Sequence, residues 1–462
     1  MIFASMRRKK LAAAVVLSLL ISAWSIPTVS AADTPFETQG PKQIKHIILV
    51  IGDGMGKPQR QAAQEYLKYA KKSFVMDALP VQGTVKTTSL SGVTDTIAAD
   101  TALLTGYKTI NGLPFTAPDG TRYPSVLELA KQKGWSTGVL TTSFVDGLTA
   151  LKSKDQGKAL LIAQLAVGAV DMLVTNTSMK QVALAKSQLV LLSKQMGYVV
   201  SVKPSDPATL HSAATNLPQR TLGLQYNEKP YEIDRSAEYG LLTSQAADAM
   251  LQTLDLDPEG FMLIVHGAQI DKAAHSGDLA AETCEVLALD KTVAVCQRYY
   301  NNHPQDTVLI VTGDHETGKL SLNAQKTSKR GSLLYKLKAS IDKMAAYYVS
   351  IAGDPLGYVA YLKKVGLGTL TRAEINKLGL TNSSRGSQTT VKKPTTSVRS
   401  IINNRAGAVY GSTWHSDQPV PVSAIGPGTE KLSGSIDNTD IGKFLISIAK
   451  GPDKINTPTP AQ

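Results

Sequence analysis

The chain has 462 residues, of which 42% are hydrophobic and 19% charged, and a formal net charge of +12 at pH 7. This composition excludes a disordered or collagen-like protein, because it supplies enough apolar residues for one large α/β domain or two smaller ones. Its two cysteines exclude a disulfide framework: Cys284 and Cys296 fall in one predicted helix, about 18 Å apart. We expect both to be buried thiols.

The first 31 residues have the pattern of a cleavable leader. The basic string "MRRKK" precedes the apolar run "LAAAVVLSLLISAW" and a small-residue site that ends at Ala31. This order is typical of a secretory signal peptide over residues 1–31. No later stretch has the apolar length of a transmembrane helix. We therefore expect an exported protein, periplasmic or secreted, with no transmembrane segment in the mature chain.

Four short apolar, β-branched runs predict the fold. They begin at His46, Ser136, Phe261 and Thr307. Each is followed by a polar turn and a helical pattern, an alternation that predicts a largely parallel sheet covered by helices. Ligands of open α/β sheets bind beyond the carboxyl ends of the strands. Asp53, Asp314 and His315 are expected at that edge.

Two motifs in the first quarter of the chain are ambiguous when taken alone. "GDGMG" presents Asp53 among small residues, which a simple turn after a strand would also do. "VTDTIAADTALLTG" places Thr96 before an alanine-rich helix. Threonine is a common helix cap, so we expect Thr96 to cap this helix, and to be a reactive hydroxyl if metal-binding groups converge on it.

The later motifs supply those groups. "IDKAAH" puts Asp271 and His275 at i and i+4 on one helical face, where an oxygen and a nitrogen can bind one metal ion, although exposed polar residues also give this pattern. "TGDHETG" and "TWHSDQPVPV" add further candidates. The full set is Asp53, Asp271, His275, Asp314, His315 and His415. Three nitrogens and three carboxylates suffice for two Zn²⁺ sites about 4 Å apart, which suit phosphoryl transfer.

A basic segment follows "TGDHETG". Residues 319–405 contain sixteen Lys and Arg against three acidic residues, and "TLTRAEINKLGLT" predicts a capped helix. We expect a basic helical insertion at about 320–405 in a main domain over residues 32–450, followed by a flexible tail over 451–462. The charge could steer anionic ligands or rest on an anionic surface, or it could simply be solvated. Aromatic residues are not interleaved with it, which argues against specific nucleic acid recognition.

With these motifs in order, the chain resembles the alkaline phosphatase family over nearly all of residues 32–450. The matching strings are "GDGMG", "TDTIAADTALLTGYKTING", "IDKAAH", "VTGDHETG" and "WHSDQPVPVSAIGPG". The resemblance implies an α/β fold, a three-layer α/β/α sandwich with a largely parallel central sheet. It also implies two zinc ions and a magnesium, an exported homodimer, and hydrolysis of small phosphorylated metabolites.

The resemblance assigns roles position by position. The first zinc ligands would be Asp271, His275 and His415. The second zinc ligands would be Asp53, Asp314 and His315. Thr96 falls at the nucleophile, where serine is commoner in the family, so a covalent phosphothreonine intermediate is implied.

The third metal site departs from the family pattern. His266 stands where the family has a glutamate, and Gly147 replaces an Asp or His two residues before the ligand Thr149, with Asp146 as a substitute. Magnesium prefers oxygen ligands in octahedral geometry. We therefore expect either a further zinc-like ion in the third site or no ion there.

The phosphate clamp also departs from the pattern. The region where the family has an arginine reads "TALKSKDQGKALL". Lys154 is the preferred replacement, with Lys152 and Lys158 as rivals, and lysine supplies a point charge where arginine supplies a planar fork. Asp95, which in the family helps to hold the clamp, is present. Lys272 is expected to contact phosphate through water.

Three functions are compatible with this pattern. An exported, metal-dependent phosphomonoesterase (alkaline phosphatase) explains all six zinc-type positions and the hydroxyl. A phosphodiesterase of the same superfamily would fit the threonine and the missing arginine. A non-catalytic phosphate- or metal-binding relative would fit the altered third site.

Overall fold

A computed structural model describes residues 43–144, 168–177, 197–202, 220–226, 231–235, 243–380 and 392–450. The strands are β1 (His46–Gly52), β2 (Val81–Lys86), β3 (Ser136–Phe144), β4 (Met172–Thr177), β5 (Tyr198–Val202), β6 (Arg220–Tyr226), β7 (Phe261–Gly267), β8 (Thr307–Gly313), β9 (Glu316–Thr317), β10 (Leu320–Leu322), β11 (Ala408–Tyr410), β12 (His415–Ser416), β13 (Val420–Ile425) and β14 (Gly434–Asp437). The predicted signal peptide and tail lie outside the described residues.

The α-helices that the structure describes lie between or after these strands, and five of them follow one another between β10 and β11. They are α1 (Lys57–Tyr69), α2 (Thr96–Thr105), α3 (Val126–Gln132), α4 (Thr243–Leu254), α5 (Gln269–His275), α6 (Leu279–Asn302), α7 (Thr327–Lys336), α8 (Ile341–Ser350), α9 (Pro355–Leu362), α10 (Arg372–Leu378), α11 (Thr395–Ala406) and α12 (Asn438–Lys450). No helix within the described ranges combines the length and apolar character needed to cross a membrane.

A ten-stranded sheet forms the centre, in the order β14-β2-β13-β8-β1-β7-β3-β4-β6-β5. Its strands pair in parallel except β13, which is antiparallel to both β2 and β8. The four apolar runs of the sequence are the adjacent strands β8, β1, β7 and β3. Because these neighbours are parallel, the residues that follow β8, β1 and β7 meet at one edge of the sheet.

Helices cover both faces of this sheet. Along β1, Ile47, Leu49 and Ile51 enter one apolar core, whereas Ile48 and Val50 enter a second core on the opposite face. Helices α2, α3 and α12 contribute to the first core, and α1, α4 and α6 to the second. The predicted three-layer α/β/α architecture is therefore confirmed.

The basic segment is mainly helical. Helices α7 to α11 share an apolar cluster that includes Leu334, Tyr348, Leu362 and Ile402 and that also contains Ala62 of α1 and Leu279 of α6. Helix α10 begins with a capping box between Thr371 and Glu374, as the motif predicts.

Both cysteines lie on α6 and neither forms a disulfide. Cys296 is buried, whereas Cys284 is only partly buried. The expectation of two buried thiols is thus confirmed for Cys296 alone.

Candidate metal centre

The carboxyl edge of the sheet brings together all six zinc-type residues. Asp53 follows β1, Asp314 and His315 follow β8, and α5, which carries Asp271 and His275, begins just after β7. His415 arrives from β12, which pairs with β9 directly after the β8 motif. Asp53 and His415, at the two ends of this set in the chain, thus belong to overlapping groups of possible ligands that have Asp271 in common.

The first donor group is Asp271, His275 and His415, whose ligand atoms all lie within 4.8 Å of one another. His275 Nε2 is 3.1 Å from Asp271 Oδ2, and His415 Nε2 is 3.7 Å from Asp271 Oδ1. Each ring is oriented through its other nitrogen, His275 Nδ1 by the Thr413 carbonyl and His415 Nδ1 by the Thr94 carbonyl at 2.9 Å. Such outer contacts keep both Nε2 atoms on the side of Asp271, the orientation that metal-ligating imidazoles need.

The second donor group surrounds His315. Its Nε2 is 3.5 Å from Asp53 Oδ1 and 3.2 Å from Asp314 Oδ2, and both His315 and Asp314 are fully buried. Asp314 Oδ1 accepts hydrogen bonds from the Gly54 and His315 amides. Asp53 Oδ1 and Asp314 Oδ2, in contrast, are buried and have no hydrogen-bond partner among the residues that the structure describes. Buried carboxylate oxygens of this kind are unfavourable unless a cation compensates them.

The pKa shifts of these residues also favour a bound cation. Burial, followed by the charges of Asp314 and Asp271, raises the pKa of Asp53 well above its usual range. Burial and then Asp100 raise the pKa of Asp314. Burial lowers the pKa of His315, which keeps the imidazole neutral and able to act as a ligand. The residues therefore fit a centre that takes divalent cations with nitrogen and oxygen ligands.

Thr96 lies at this cluster but does not cap its helix. Asp95 is the cap of α2: its Oδ1 accepts from the Ala98 amide at 2.8 Å, and its Oδ2 from the Gly112 amide at 2.6 Å. The prediction of Thr96 as the cap is wrong, because a carboxylate one position earlier reaches two amides. Thr96 is instead the first helical residue, buried, with Oγ1 3.1 Å from His315 Nε2.

A third donor group comprises Asp53, His266 and Asp314. His266 Nε2 is 3.9 Å from Asp53 Oδ2 and lacks a hydrogen-bond partner among the described residues. Burial would lower the pKa of His266, but the close contact and charge of Asp100, followed by the charges of Asp314 and Asp271, outweigh it and raise the pKa.

Sequence reasoning missed Asp100 and Thr317. Asp100 Oδ2 lies 3.5 Å from His266 Nε2, and Asp100 Oδ1 is buried with no hydrogen-bond partner within the described ranges. The signal for Asp100 was a carboxylate four residues after Thr96 in an otherwise small and apolar helix. Thr317 Oγ1 donates to Asp271 Oδ1 at 2.6 Å and is 3.2 Å from His315 Nδ1, so it joins the two zinc-type groups.

Several predicted residues cannot be added to this geometry. Thr149, Lys154 and their alternatives Asp146, Lys152 and Lys158 lie outside the described residues. Lys272 is partly buried on α5 beside Asp271. A fourth donor group, His46, His303 and Asp306, lies at the opposite end of β1 and β8 and is separate from the cluster around Thr96.

Comparison with known proteins agrees with the family resemblance of the sequence motifs. The family model for alkaline phosphatase matches residues 44–153 and 188–451. Alkaline phosphatase 3 of Bacillus subtilis is 28% identical over 466 residues, covering 97% of this chain and 98% of the relative. The enzyme of Escherichia coli is 28% identical over 59% of this chain and 70% of its own.

Solved structures share the fold. The cold-active alkaline phosphatase of Shewanella sp. superposes with a TM-score of 0.72 at 27% identity, covering 87% of this chain and 99% of its own. The Thermus thermophilus alkaline phosphatase gives a TM-score of 0.71 at 23% identity, covering 90% and 94%. With the ordered motifs, the metal-type cluster and the family match in agreement, the chain belongs to the alkaline phosphatase family and is a metal-binding phosphatase.

Proposed function

We propose that the protein is an exported alkaline phosphatase that hydrolyses phosphate monoesters of small metabolites through a phosphothreonine at Thr96, using two zinc ions. The position of the Thr96 hydroxyl carries this proposal. Its Oγ1 is 3.1 Å from His315 Nε2 at the start of α2, beside the second donor group. A hydroxyl at that point can reach phosphorus while the phosphate oxygens face the metal-type cluster.

The donor set supports zinc. Three carboxylates and three imidazoles converge, and two of the carboxylate oxygens are buried with no hydrogen-bond partner among the residues described. Bound zinc would supply Lewis acidity, at Asp53, Asp314 and His315 for the Thr96 oxygen, and at Asp271, His275 and His415 for the oxygen of the departing alcohol.

The chain's own groups account for orientation and bond changes. The amino end of α2 attracts an anionic phosphate through its first-turn amides and its positive dipole. The Thr96 Oγ1–phosphorus bond forms as the bond to the ester oxygen breaks; the Thr96 proton passes to solvent and the alcohol gains one. Water then attacks phosphorus, the Thr96 bond breaks, and inorganic phosphate leaves with the hydroxyl restored.

Other parts of the proposal rest on the sequence. Lys154 would hold the phosphate as a point charge with Asp95 in support, and Lys272 would contact it through water. Thr149 and His266 would hold a third ion, Mg²⁺ or a further Zn²⁺; the nitrogen of His266 favours zinc. We also propose a homodimer and export to the periplasm or medium. Processing of the leader should give a mature chain that begins at Ala32.

The central test compares zinc-loaded wild type, Thr96→Ala and Thr96→Ser on an aryl phosphate monoester. We expect Thr96→Ala to lose more than about 10³-fold in kcat/KM and Thr96→Ser to stay active. Acid quenching during turnover should yield a phosphorylated Thr96 peptide in wild type. Equal activity of wild type and Thr96→Ala would contradict the proposal.

Substrate class is tested with a monoester and a diester of one phenol. A diester carries one negative charge fewer, so a centre built around a cationic cluster should favour the monoester. Faster hydrolysis of the diester would indicate a phosphodiesterase. Tight phosphate binding without turnover of either ester would indicate a non-catalytic relative.

A further inference from the structure

The Trp414 side chain lies immediately before the zinc-type residue His415 and is 74% exposed. Tryptophan is highly buried in most proteins, because its large apolar surface is costly to expose. An exposed indole beside a charged cluster is therefore suited to contact a bound ligand. The described residues do not cover this side chain, since 74% of it remains open to solvent.

The backbone that carries Trp414 is held on both sides. The Trp414 amide donates to Ser412 Oγ at 2.9 Å, and its carbonyl accepts from the Gly318 amide at 3.0 Å. On either side, the Thr413 carbonyl contacts His275 Nδ1 and the His415 ring contacts the Thr94 carbonyl. The indole is thus exposed on an anchored turn. Because this backbone is already ordered, ligand binding has a small cost in conformational entropy there.

The ring faces the first donor group. Its centroid lies 6.3 Å from that of His275, with the two ring planes at 82°. His275 is in turn 5.2 Å from the His415 ring. In the proposed function, on which this inference rests, the first donor group is the side from which the alcohol departs. A group attached to the ester oxygen would emerge beside Trp414.

We propose that Trp414 forms a binding subsite for a planar aromatic ring on the leaving group, so that the enzyme favours phosphate monoesters of aromatic alcohols or nucleosides. The indole stacks on the ring of the substrate, and the exposed apolar surface of both is removed from water. Stacking of a base on an aromatic side chain contributes about 1–3 kcal/mol, which corresponds to about a 5-fold or greater change in affinity.

The test measures binding without turnover, so it is independent of catalysis. Phenylphosphonate and methylphosphonate are titrated into zinc-loaded wild type, Trp414→Ala and Trp414→Phe. We expect phenylphosphonate to bind Trp414→Ala at least about 5-fold more weakly than wild type. Methylphosphonate affinity should be unchanged, and Trp414→Phe should recover most of the loss. Leu356→Ala, which removes a side chain that is 83% exposed on α9, is the matched control and should alter neither affinity.

Fluorescence gives a direct readout of the ring. The sequence has three tryptophans: Trp24 lies within the predicted leader, Trp135 is 1% exposed, and Trp414 is the third. Phenylphosphonate should therefore change the emission of wild type but not that of Trp414→Phe. Pairing adenosine 5′-monophosphate with ribose 5-phosphate then shows whether a base reaches the ring as a directly attached phenyl group does.

Four results would overturn the inference. Equal weakening of both phosphonates would mean that Trp414 acts only through the position of His415. No effect on either would leave the indole without this role. A changed oligomeric state with unchanged affinities would assign the ring to a subunit interface. Failure of wild type to bind even methylphosphonate would overturn the proposed phosphatase site together with the subsite. Selective phenylphosphonate binding without ester hydrolysis, in contrast, would refute the proposed activity alone.

Discussion

The two ends of β1 and β8 carry similar side chains that differ in burial and in their hydrogen-bond partners. At the carboxyl end, Asp53 Oδ1 and Asp314 Oδ2 lie near His315 Nε2 and are buried with no hydrogen-bond partner in the described part of the chain. At the amino end, His46, His303 and Asp306 also form a group with metal-type donors. A list of donor types alone would treat the two ends as equivalent.

The amino-end group is satisfied by its neighbours. His46 Nδ1 is 3.1 Å from Thr307 Oγ1, and the ring stacks on Phe261 with centroids 4.9 Å apart. The His303 ring stacks on Tyr299 at 4.5 Å. Within the part of the chain that the structure describes, this group has no buried side-chain atom without a partner. Uncompensated buried charge, more than donor type, therefore distinguishes the metal centre.

The largest expected effect is at Asp314. In Asp314→Asn the oxygen that accepts from the Gly54 and His315 amides can be retained, but the charge that faces His315 is lost. We expect metal affinity to fall at least about 100-fold and activity with it. In chelator-treated protein the variant should instead be more stable than wild type, by about 1–2 kcal/mol, because a buried charge has been removed.

Metal content after dialysis and thermal unfolding with and without chelator measure both effects. A variant that is less stable than wild type in chelator would contradict the assignment of uncompensated charge to Asp314.

A smaller effect is expected at Asp290, a buried carboxylate away from the metal centre. Its Oδ1 accepts from the Val75 and Met76 amides at 2.9 and 2.8 Å, and burial raises its pKa to about 6 from 3.8. The folded state therefore holds this proton more tightly than the unfolded state. The protonated carboxyl stabilises the folded state fully below about pH 4, and this stabilisation is lost as the pH rises through about 6. Asp290→Asn should remove this pH dependence, which amounts to about 2 kcal/mol in the free energy of unfolding.

Urea unfolding of wild type and Asp290→Asn, at about pH 4 and about pH 7 in chelator, isolates this difference because the other carboxyl groups titrate in both proteins. Parallel pH profiles for the two proteins would show that the Asp290 carboxyl is not destabilised by burial.

Asp100 tests whether the uncompensated charge extends to the third donor group. Asp100→Asn keeps the volume but weakens the contact with His266 at 3.5 Å. We expect loss of up to one metal equivalent per chain and a decrease of about 10-fold in kcat/KM, with the two zinc positions retained. His266→Gln should act in the same direction. Full metal content in both variants would remove Asp100 and His266 from the third site.

The smallest effect is expected at the amino end. His303→Ala removes the stacking on Tyr299 and should cost about 1 kcal/mol in the free energy of unfolding. Metal content and kcat/KM should equal those of wild type. A lost metal equivalent would show that the satisfied group also binds an ion and would undo the contrast between the two ends.

Local patterns were sufficient for part of this molecule. The β-branched runs at β1, β3, β7 and β8 predicted a parallel sheet, because a strand buried on both faces needs a continuous apolar sequence. Asp271 and His275 could be paired because i and i+4 residues share a helical face. The zinc-type set followed from these positions and from the motif order, and the family match agrees with that order.

Other features needed contacts between distant segments. Asp95 and Thr96 are both good caps, and only the loop that brings the Gly112 amide to Asp95 distinguishes them. The antiparallel direction of β13 depends on its pairing with β2 and β8. Asp100 and His266 are 166 positions apart and meet because α2 packs in the apolar core on one face of the sheet.

The sequence by itself determined the α/β class, the parallel central strands and the residue types of a metal-binding phosphatase, because these depend on periodicity and on motifs within a few residues. The tertiary structure alone decided which buried carboxylates lack a compensating partner, which hydroxyl lies beside them, and which tryptophan is exposed to solvent nearby. Those properties arise from burial and from the direction of side chains on separate elements, and the folded packing of the sheet edge sets both.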